Sequence, residues 1–435
     1  MLRYQQQFDF FDAEAVNKTV HFVNLSDDAM AGELDRVLKR IGDKVAEHGP
    51  SLVFVDSFRS VGLASESGVA NPHNRLQQFV QQLGMLMTSW QATTFLIGEY
   101  ATETDANPVF TVCDGLLWLR QSVQRNSMVR KMEVMKMRGQ PTLPGLHTFR
   151  IHASGIEVFP PASVSIRKEP HAHVVASGAR LSMGVPGLDE MLGGGMPRGC
   201  SLLVAGPSGS GKSVLATAFL AEGACRGEAG VIAAFEQHPN RFRSRIVADL
   251  ISAGKVGLVE NRGSDLSIDE TVYLLMHEIR RLGATRVVID SLSGFELALA
   301  PTFRVDFRES LSGMVTALAG TGVTVLMTSE LEDRYTHLRF SPYGTAFMTD
   351  AIIVQRYIEV ASRLRRVMAV VKVRGSSHSD ELREFTIDDQ GIRIGEMLTD
   401  QEGLLGGRPT TKALMAEGNT NATDGLSTRT IASPS

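Results

Sequence analysis

The later half of this chain repeats the earlier half segment by segment and in the same order. SLVFVDS (51–57) returns as RVVIDS (286–291), ATTFLIGEYATE (92–103) as GVTVLMTSELED (322–333), CDGLLWLRQ (113–121) as TDAIIVQRY (349–357), and VMKMRGQ (134–140) as VVKVRGS (370–376). The spacing is nearly constant: Asp290 lies 234 residues after Asp56, Glu330 231 after Glu99, and Lys372 236 after Lys136. An ordered repeat of this kind decides the architecture, because both copies must close cores of the same topology. Leu34, Val37, Leu38, Ile41 and Val45 recur at helical spacing before SLVFVD, and Val272, Leu275, Ile279 and Leu282 do so before RVVID. Gly49 and Gly283 stand where such helices stop. Apolar strands alternating with amphipathic helices predict an α/β fold, a doubly wound, mostly parallel sheet present as a tandem duplication.

PASVSIRKEPHAHVVASGAR (161–180) mixes proline, charge and small residues, which predicts a linker between a first domain at 1–160 and a second at 181–396. His171 and His173 read there as solvated linker residues, since no further metal ligands lie nearby. From 397 to 435 the composition turns to Gly, Thr, Ser, Asn and Ala, which predicts a disordered tail.

GPSGSGKS (206–213) satisfies the P-loop pattern in full, with Gly206, Pro207, Ser208, Gly209, Ser210, Gly211, Lys212 and Ser213 in its eight positions. CSLLVA before it reads as a buried strand, and the run that opens at Val214, VLATAFLAEGACRG, as a helix with a glycine stop. In that context the curled loop and the positive helix end present backbone N–H groups to an anion. Lys212 is expected to neutralise β- and γ-phosphate oxygens, and Ser213 to hold Mg²⁺. RVVIDS ends a buried strand in Asp290; alone this could be a helix cap, but beside a P-loop it reads as a metal carboxylate. AGVIAAFEQ (229–237) ends in Glu236, placed to orient the attacking water and to stand near the metal with Ser213 and Asp290. The plainer reading of Glu236 is a solvated loop residue. Lys372 and Arg374, taken alone, read as a basic pair on an exposed strand.

RLSMGVPGLDEMLGGGMPRGCSLLVAGPSGSGKS, followed by FEQ, VVIDS and KVRG, resembles the RecA-like P-loop ATPases of the KaiC family, the circadian-clock type of ATPase and autokinase, over most of residues 20–396. GVPGLDEMLGGG is specific to that family and its close relatives; the P-loop is not. The resemblance implies ATP and Mg²⁺ as ligands and a homo-oligomer, usually a hexameric ring, with ATP at the subunit interfaces. It further implies that Lys372, Val373 and Arg374 reach a neighbour's nucleotide, where Lys372 and Arg374 stabilise charge on the γ-phosphate. Two departures stand out. Glu236 is followed by Gln237 where the family usually has adjacent glutamates, and Ala346 and Phe347 occupy the positions of the phosphorylated Ser-Thr pair, leaving Thr345 and Thr349 as neighbouring hydroxyls.

At the observed repeat spacing, the first-copy counterparts of Lys212 and Glu236 would precede Met1, so the first domain is expected to lack its cradle, through a start placed too late or a truncated gene. Such a first domain should be unstable alone or covered by a partner. ATP hydrolysis is the leading function, with serine/threonine autokinase and nucleotide-gated signalling scaffold as alternatives, and a full-length paralogue or signalling proteins as further partners. A formal charge of −4 and a pI near 6.3 speak against a DNA recombinase or helicase reading of the same core. Cys113, Cys200 and Cys225 form no CxxC pair, which argues against a disulfide framework or zinc site. No apolar run approaches bilayer length and MLRYQQQFDF lacks the core of a secretory signal, so the expected location is cytoplasmic, with no membrane partner.

Overall fold

The computed structural model describes residues 2–30, 33–58, 72–100, 108–124, 127–162, 178–235, 245–260, 266–304, 307–331, 348–360, 362–398, 401–402 and 410–411. The chain divides into two compact units: Met1–Lys168 with Asp265–Tyr273 and Ala300–Val305, and Glu169–Ser264 with Leu274–Leu299 and Asp306–Ser435.

In the first unit α1 (Leu34–His48) buries Leu34, Val37, Ile41 and Val45 as one stripe and stops at Gly49, whose left-handed backbone returns its N–H to Val45 O. β1 (Leu52–Asp56), α2 (Pro72–Ser89) and β2 (Thr93–Ile97) follow, and β1 pairs parallel with β2. One face of this pair, Val53, Val55 and Leu96, packs into a core with α1 and with Phe79, Val80 and Leu83 of α2. After α3 (Pro108–Val112), β3 (Gly115–Gln124), β4 (Ser127–Met137), β5 (Leu146–His152) and β6 (Gly155–Phe159) form a separate four-stranded antiparallel sheet.

The second unit opens with β7 (Arg180–Leu181), α4 (Pro186–Met191) and β8 (Met196–Pro197), β7 pairing with β8. Arg180, assigned to the linker by composition, is thus part of a strand. Its main sheet is built from β9 (Ser201–Gly206), β10 (Gly230–Ala234), β11 (Val256–Glu260), β12 (Arg286–Asp290), β13 (Thr324–Glu330), β14 (Ala351–Val360), β15 (Arg363–Val373), β16 (Leu382–Asp388) and β17 (Gly391–Met397). The order is β11-β10-β12-β13-β9-β14-β15-β16-β17; pairs from β11 to β14 are parallel and the remainder antiparallel. Helices α5 (Lys212–Cys225), α6 (Arg245–Ser252), α7 (Ile268–Leu282), α8 (Leu292–Ala298) and α9 (Phe307–Gly320) connect the strands, α7 contributing its first residues to the first unit. This is the RecA-like arrangement: the P-loop strand β9 lies inside the sheet, buried at every residue, with parallel neighbours on both sides.

The two copies differ around that strand. In the second unit β9 joins β13 to β14, whereas among the described residues no strand joins their counterparts β2 and β3. Val288 and Leu326 face a core with Leu215, Phe219 and Leu220 of α5 and are 0% and 1% exposed. Their counterparts Phe54 and Phe95 stack on each other with centroids 4.9 Å apart and are 60% and 42% exposed. Met397, assigned to the tail by composition, instead closes β17, and Gln401–Glu402 pair with Thr410–Thr411; residues 412–435 lie outside the described residues. No helix among the described residues is long and apolar enough to cross a membrane.

Candidate nucleotide site

β9 delivers the P-loop to the carboxyl end of the parallel sheet, where the direction of successive connections reverses and ligands of open α/β sheets collect. The loop divides by burial. Gly206, Pro207 and Ser210 form its buried floor, with Ser210 Oγ donating to Gln355 Oε1 of β14 at 3.1 Å. Ser208, Gly209, Gly211, Lys212, Ser213 and Val214 line a cleft of about 1010 Å³. Gly211 precedes α5 with φ 107°, and a Cβ there would stand 2.5 Å from Ile387 Cδ1, so glycine is required twice over.

Lys212 Nζ donates to Gly206 O at 2.8 Å and Pro207 O at 2.7 Å, folding its ammonium over its own loop. Burial lowers its pKa below the ordinary lysine value, and the Glu330 and Asp290 carboxylates work against that shift. Both acids stand at strand ends: Asp290 pairs with Ala234 and Glu330 with Gly206. The buried Thr328 hydroxyl donates to Asp290 Oδ1 and fixes that carboxylate. The opposite wall is Arg366 of β15 and the β16–β17 turn, Asp388 to Gly391. Arg366 lies over the Tyr357 ring at 5.5 Å.

Ser213, Asp290 and Glu330 all line this cleft. Among the described residues no group of three or more His, Cys, Asp or Glu side chains could hold a metal by itself. Mg²⁺ takes one or two carboxylates together with substrate phosphates and water, and a hydroxyl and two carboxylates beside a phosphate cradle suit that demand. Glu236, Gln237, Thr345, Ala346 and Phe347 lie outside the described residues.

Lys372 and Arg374 sit elsewhere. β15 runs antiparallel to β14, which is parallel to β9, so Ala351 pairs with both Val373 and Leu202. Arg374 is level with the start of β9, five residues from Gly206 and roughly 16 Å away along the strand. Lys372 Nζ donates to Thr349 O at 2.6 Å, and burial, then the Arg374 charge, lowers its pKa against the opposing Asp350. Asp350 joins both ends of this corner: its Oδ2 accepts from Ser201 N and Oγ at 2.9 Å, and its Oδ1 contacts Arg374 Nη1 at 3.4 Å. Val373, expected beside its neighbours in the site, packs its side chain into the core instead. Sequence reasoning assigned no role to Glu330, Thr328, Arg366 or the 388–391 turn. Of these, Glu330 alone carried a signal, its alignment with Glu99.

A family model described as "ATPase: KaiC" matches residues 2–163 and 181–399. The circadian clock oscillator protein KaiC of Picosynechococcus sp. is 26% identical over 388 residues, spanning 88% of this chain and 73% of the relative. The circadian clock protein KaiC3 of Synechocystis sp. is 26% identical over 394 residues, spanning 87% and 75%. The circadian clock oscillator protein KaiC of Rippkaea orientalis is 26% identical over 384 residues, spanning 87% and 72%.

Proposed function

The chain belongs to the KaiC family of RecA-like P-loop ATPases, and from that premise we propose that its second unit hydrolyses ATP with Mg²⁺, each site being completed by Lys372 and Arg374 of a neighbouring copy. The observation that carries this reading is one cleft in which Lys212 and Ser213 face Asp290 and Glu330, large enough for a nucleoside triphosphate.

In the proposed reaction the N–H groups at the start of α5 take the phosphates, and the Lys212 ammonium exchanges the carbonyls of Gly206 and Pro207 for β- and γ-oxygens. Bound Mg²⁺ would supply charge neutralisation at the transferring phosphoryl group, held by Ser213 and Asp290. Glu236 orients the attacking water and accepts its proton as the oxygen bonds the γ-phosphorus and the bond from that phosphorus to the β–γ bridging oxygen breaks, releasing ADP. The neighbour's Lys372 and Arg374 neutralise charge that grows on the γ-phosphate, a contribution of roughly 10³- to 10⁵-fold in rate for a finger of this type. The chain's own pair is too far from its own P-loop to do so.

Phosphate release from Mg·ATP by the full chain tests the reading. Lys212→Ala should abolish it, and Arg374→Ala should lower it roughly 10³- to 10⁵-fold. Mixing the two variants should restore activity, since one contributes an intact finger and the other an intact cradle. Undiminished turnover in Lys212→Ala would refute hydrolysis at this cleft; two variants that stay inactive when mixed would refute completion in trans.

A further inference from the structure

The segment GVPGLDEMLGGG, which precedes the P-loop strand, contributes only Gly184 to the nucleotide cleft among the described residues. Its contacts run in two directions. At one end it rests on the cleft's framework: a Cβ on Gly184 would stand 2.8 Å from Ala218 O of α5, and one on Gly187 2.7 Å from Ile394 of β17. Leu188 and Met191 of α4 are buried at 0% and 1% exposure, and Asp189 secures the turn before it by accepting from Met183 N at 2.7 Å and Ser182 Oγ at 2.6 Å.

At the other end the segment grips the turn that directly follows Lys372 and Arg374. Ser379 N donates to Met191 O at 2.8 Å. A Cβ on Gly193 would stand 3.0 Å from Ser377 O. Arg180 closes the junction: its Nη1 donates to Leu192 O at 2.9 Å and Gly195 O at 2.7 Å, and its Nη2 to Ser376 Oγ. One planar guanidinium therefore ties the glycine loop to residue 376, two positions beyond Arg374. Among the described residues its partners are two backbone carbonyls and a hydroxyl, groups that set a position. A lysine would supply the charge and lose the fork.

We infer that Arg180 is a positioning residue for the Lys372 and Arg374 pair, and that GVPGLDEMLGGG is the bracket that fixes this pair relative to the protomer's own phosphate helix. The inference rests on the proposed role of that pair in a neighbour's site. A finger displaced by about 1 Å loses up to roughly 100-fold in the chemical step while ground-state ATP binding stays as it was.

The test uses the full chain and Mg·ATP. Arg180→Lys, and separately Ser376→Ala, should each lower kcat about 10- to 100-fold with KM for ATP unchanged. Neither should add to Arg374→Ala, because both act through the same group. Mixing Arg180→Lys with Lys212→Ala should restore turnover, the second variant contributing a correctly held finger, whereas a general folding defect of the first would not be repaired. Wild-type kcat in both variants, losses that add in full to Arg374→Ala, or failure of the Arg180→Lys mixture would each overturn the inference. Provided Arg374→Ala and Lys212→Ala complement each other, the proposed function survives that result; if they do not, the finger reading fails and this inference falls with it.

Discussion

Arg286→Met removes a fully buried guanidinium at the start of β12 and keeps an unbranched apolar stem in its place. Arg286 Nε donates to Glu228 Oε2 at 2.8 Å, and Nη1 donates to Ser182 O at 2.8 Å and Phe219 O at 2.9 Å, with the guanidinium 4.6 Å from the Phe219 ring centre. Breaking a buried ion pair by removing one partner ordinarily costs about 3–5 kcal/mol, chiefly through the charge left behind. Here Glu228 retains Arg198. Phe219 O lies within α5, where the helical ladder supplies it a second donor. Among the described residues the buried Arg286 Nη2 has no hydrogen-bond partner, and the substitution also removes that group. The net cost should therefore be near 2 kcal/mol, or about 4–8 °C in the midpoint of a unit of this size. The two tryptophans, Trp90 and Trp118, both belong to the first unit, so fluorescence follows it and leaves the second silent. Scanning calorimetry with and without Mg·ATP should show the nucleotide-sensitive transition lowered by that amount in Arg286→Met, with the fluorescence midpoint unmoved. A nucleotide-sensitive midpoint within about 1 °C of wild type would refute the reasoning from buried partners.

Two further expectations concern the cleft and the uncovered face. Lys212 has its pKa lowered by burial in the free protein, and phosphate should raise it again; between the lowered value and the ordinary 10.5, ATP binding takes up a proton and affinity falls as pH rises. Titration calorimetry carried from pH ~8, where phosphate is fully ionised, up to 10.5 in two buffers of different ionisation enthalpy should reveal this uptake, and its absence throughout that range would show that Lys212 does not meet the phosphates. Val288→Asn places an amide in the core of the second unit and should cost about 3 kcal/mol or more, whereas Phe54→Asn at the equivalent place should cost under about 1.5 kcal/mol. Denaturant unfolding measures both, and equal costs would show that the Phe54 face is covered in solution.

The readable part of this molecule was local. Continuous apolar runs in RVVID and TVLMT, helical stripes such as Leu34, Val37, Ile41 and Val45, and the strand, loop and helix around GPSGSGKS each carry their signal within one short window, and the structure forms those elements. The far wall of the cleft carried no such signal. Arg366 and residues 388–391 meet the P-loop only because β14 to β17 are added to one edge of the sheet more than a hundred residues later. Arg180 is silent for the same reason, its partners lying near 192–195 and at 376. The burial of the Val373 side chain was legible in the strand's own period of two: Lys372 and Arg374 share one face, which turns that side chain to the other. Strand direction has the largest consequence. A cradle at the carboxyl end of parallel β9 and a finger at the carboxyl end of antiparallel β15 lie at opposite ends of one sheet. On the proposed reading cradle must meet finger: a two-fold dimer has to make that contact twice across its axis, whereas copies stacked head to tail make it once per interface. Such heterologous contacts either close into a ring or run on as a filament, so the angle between successive copies decides whether every cradle is completed.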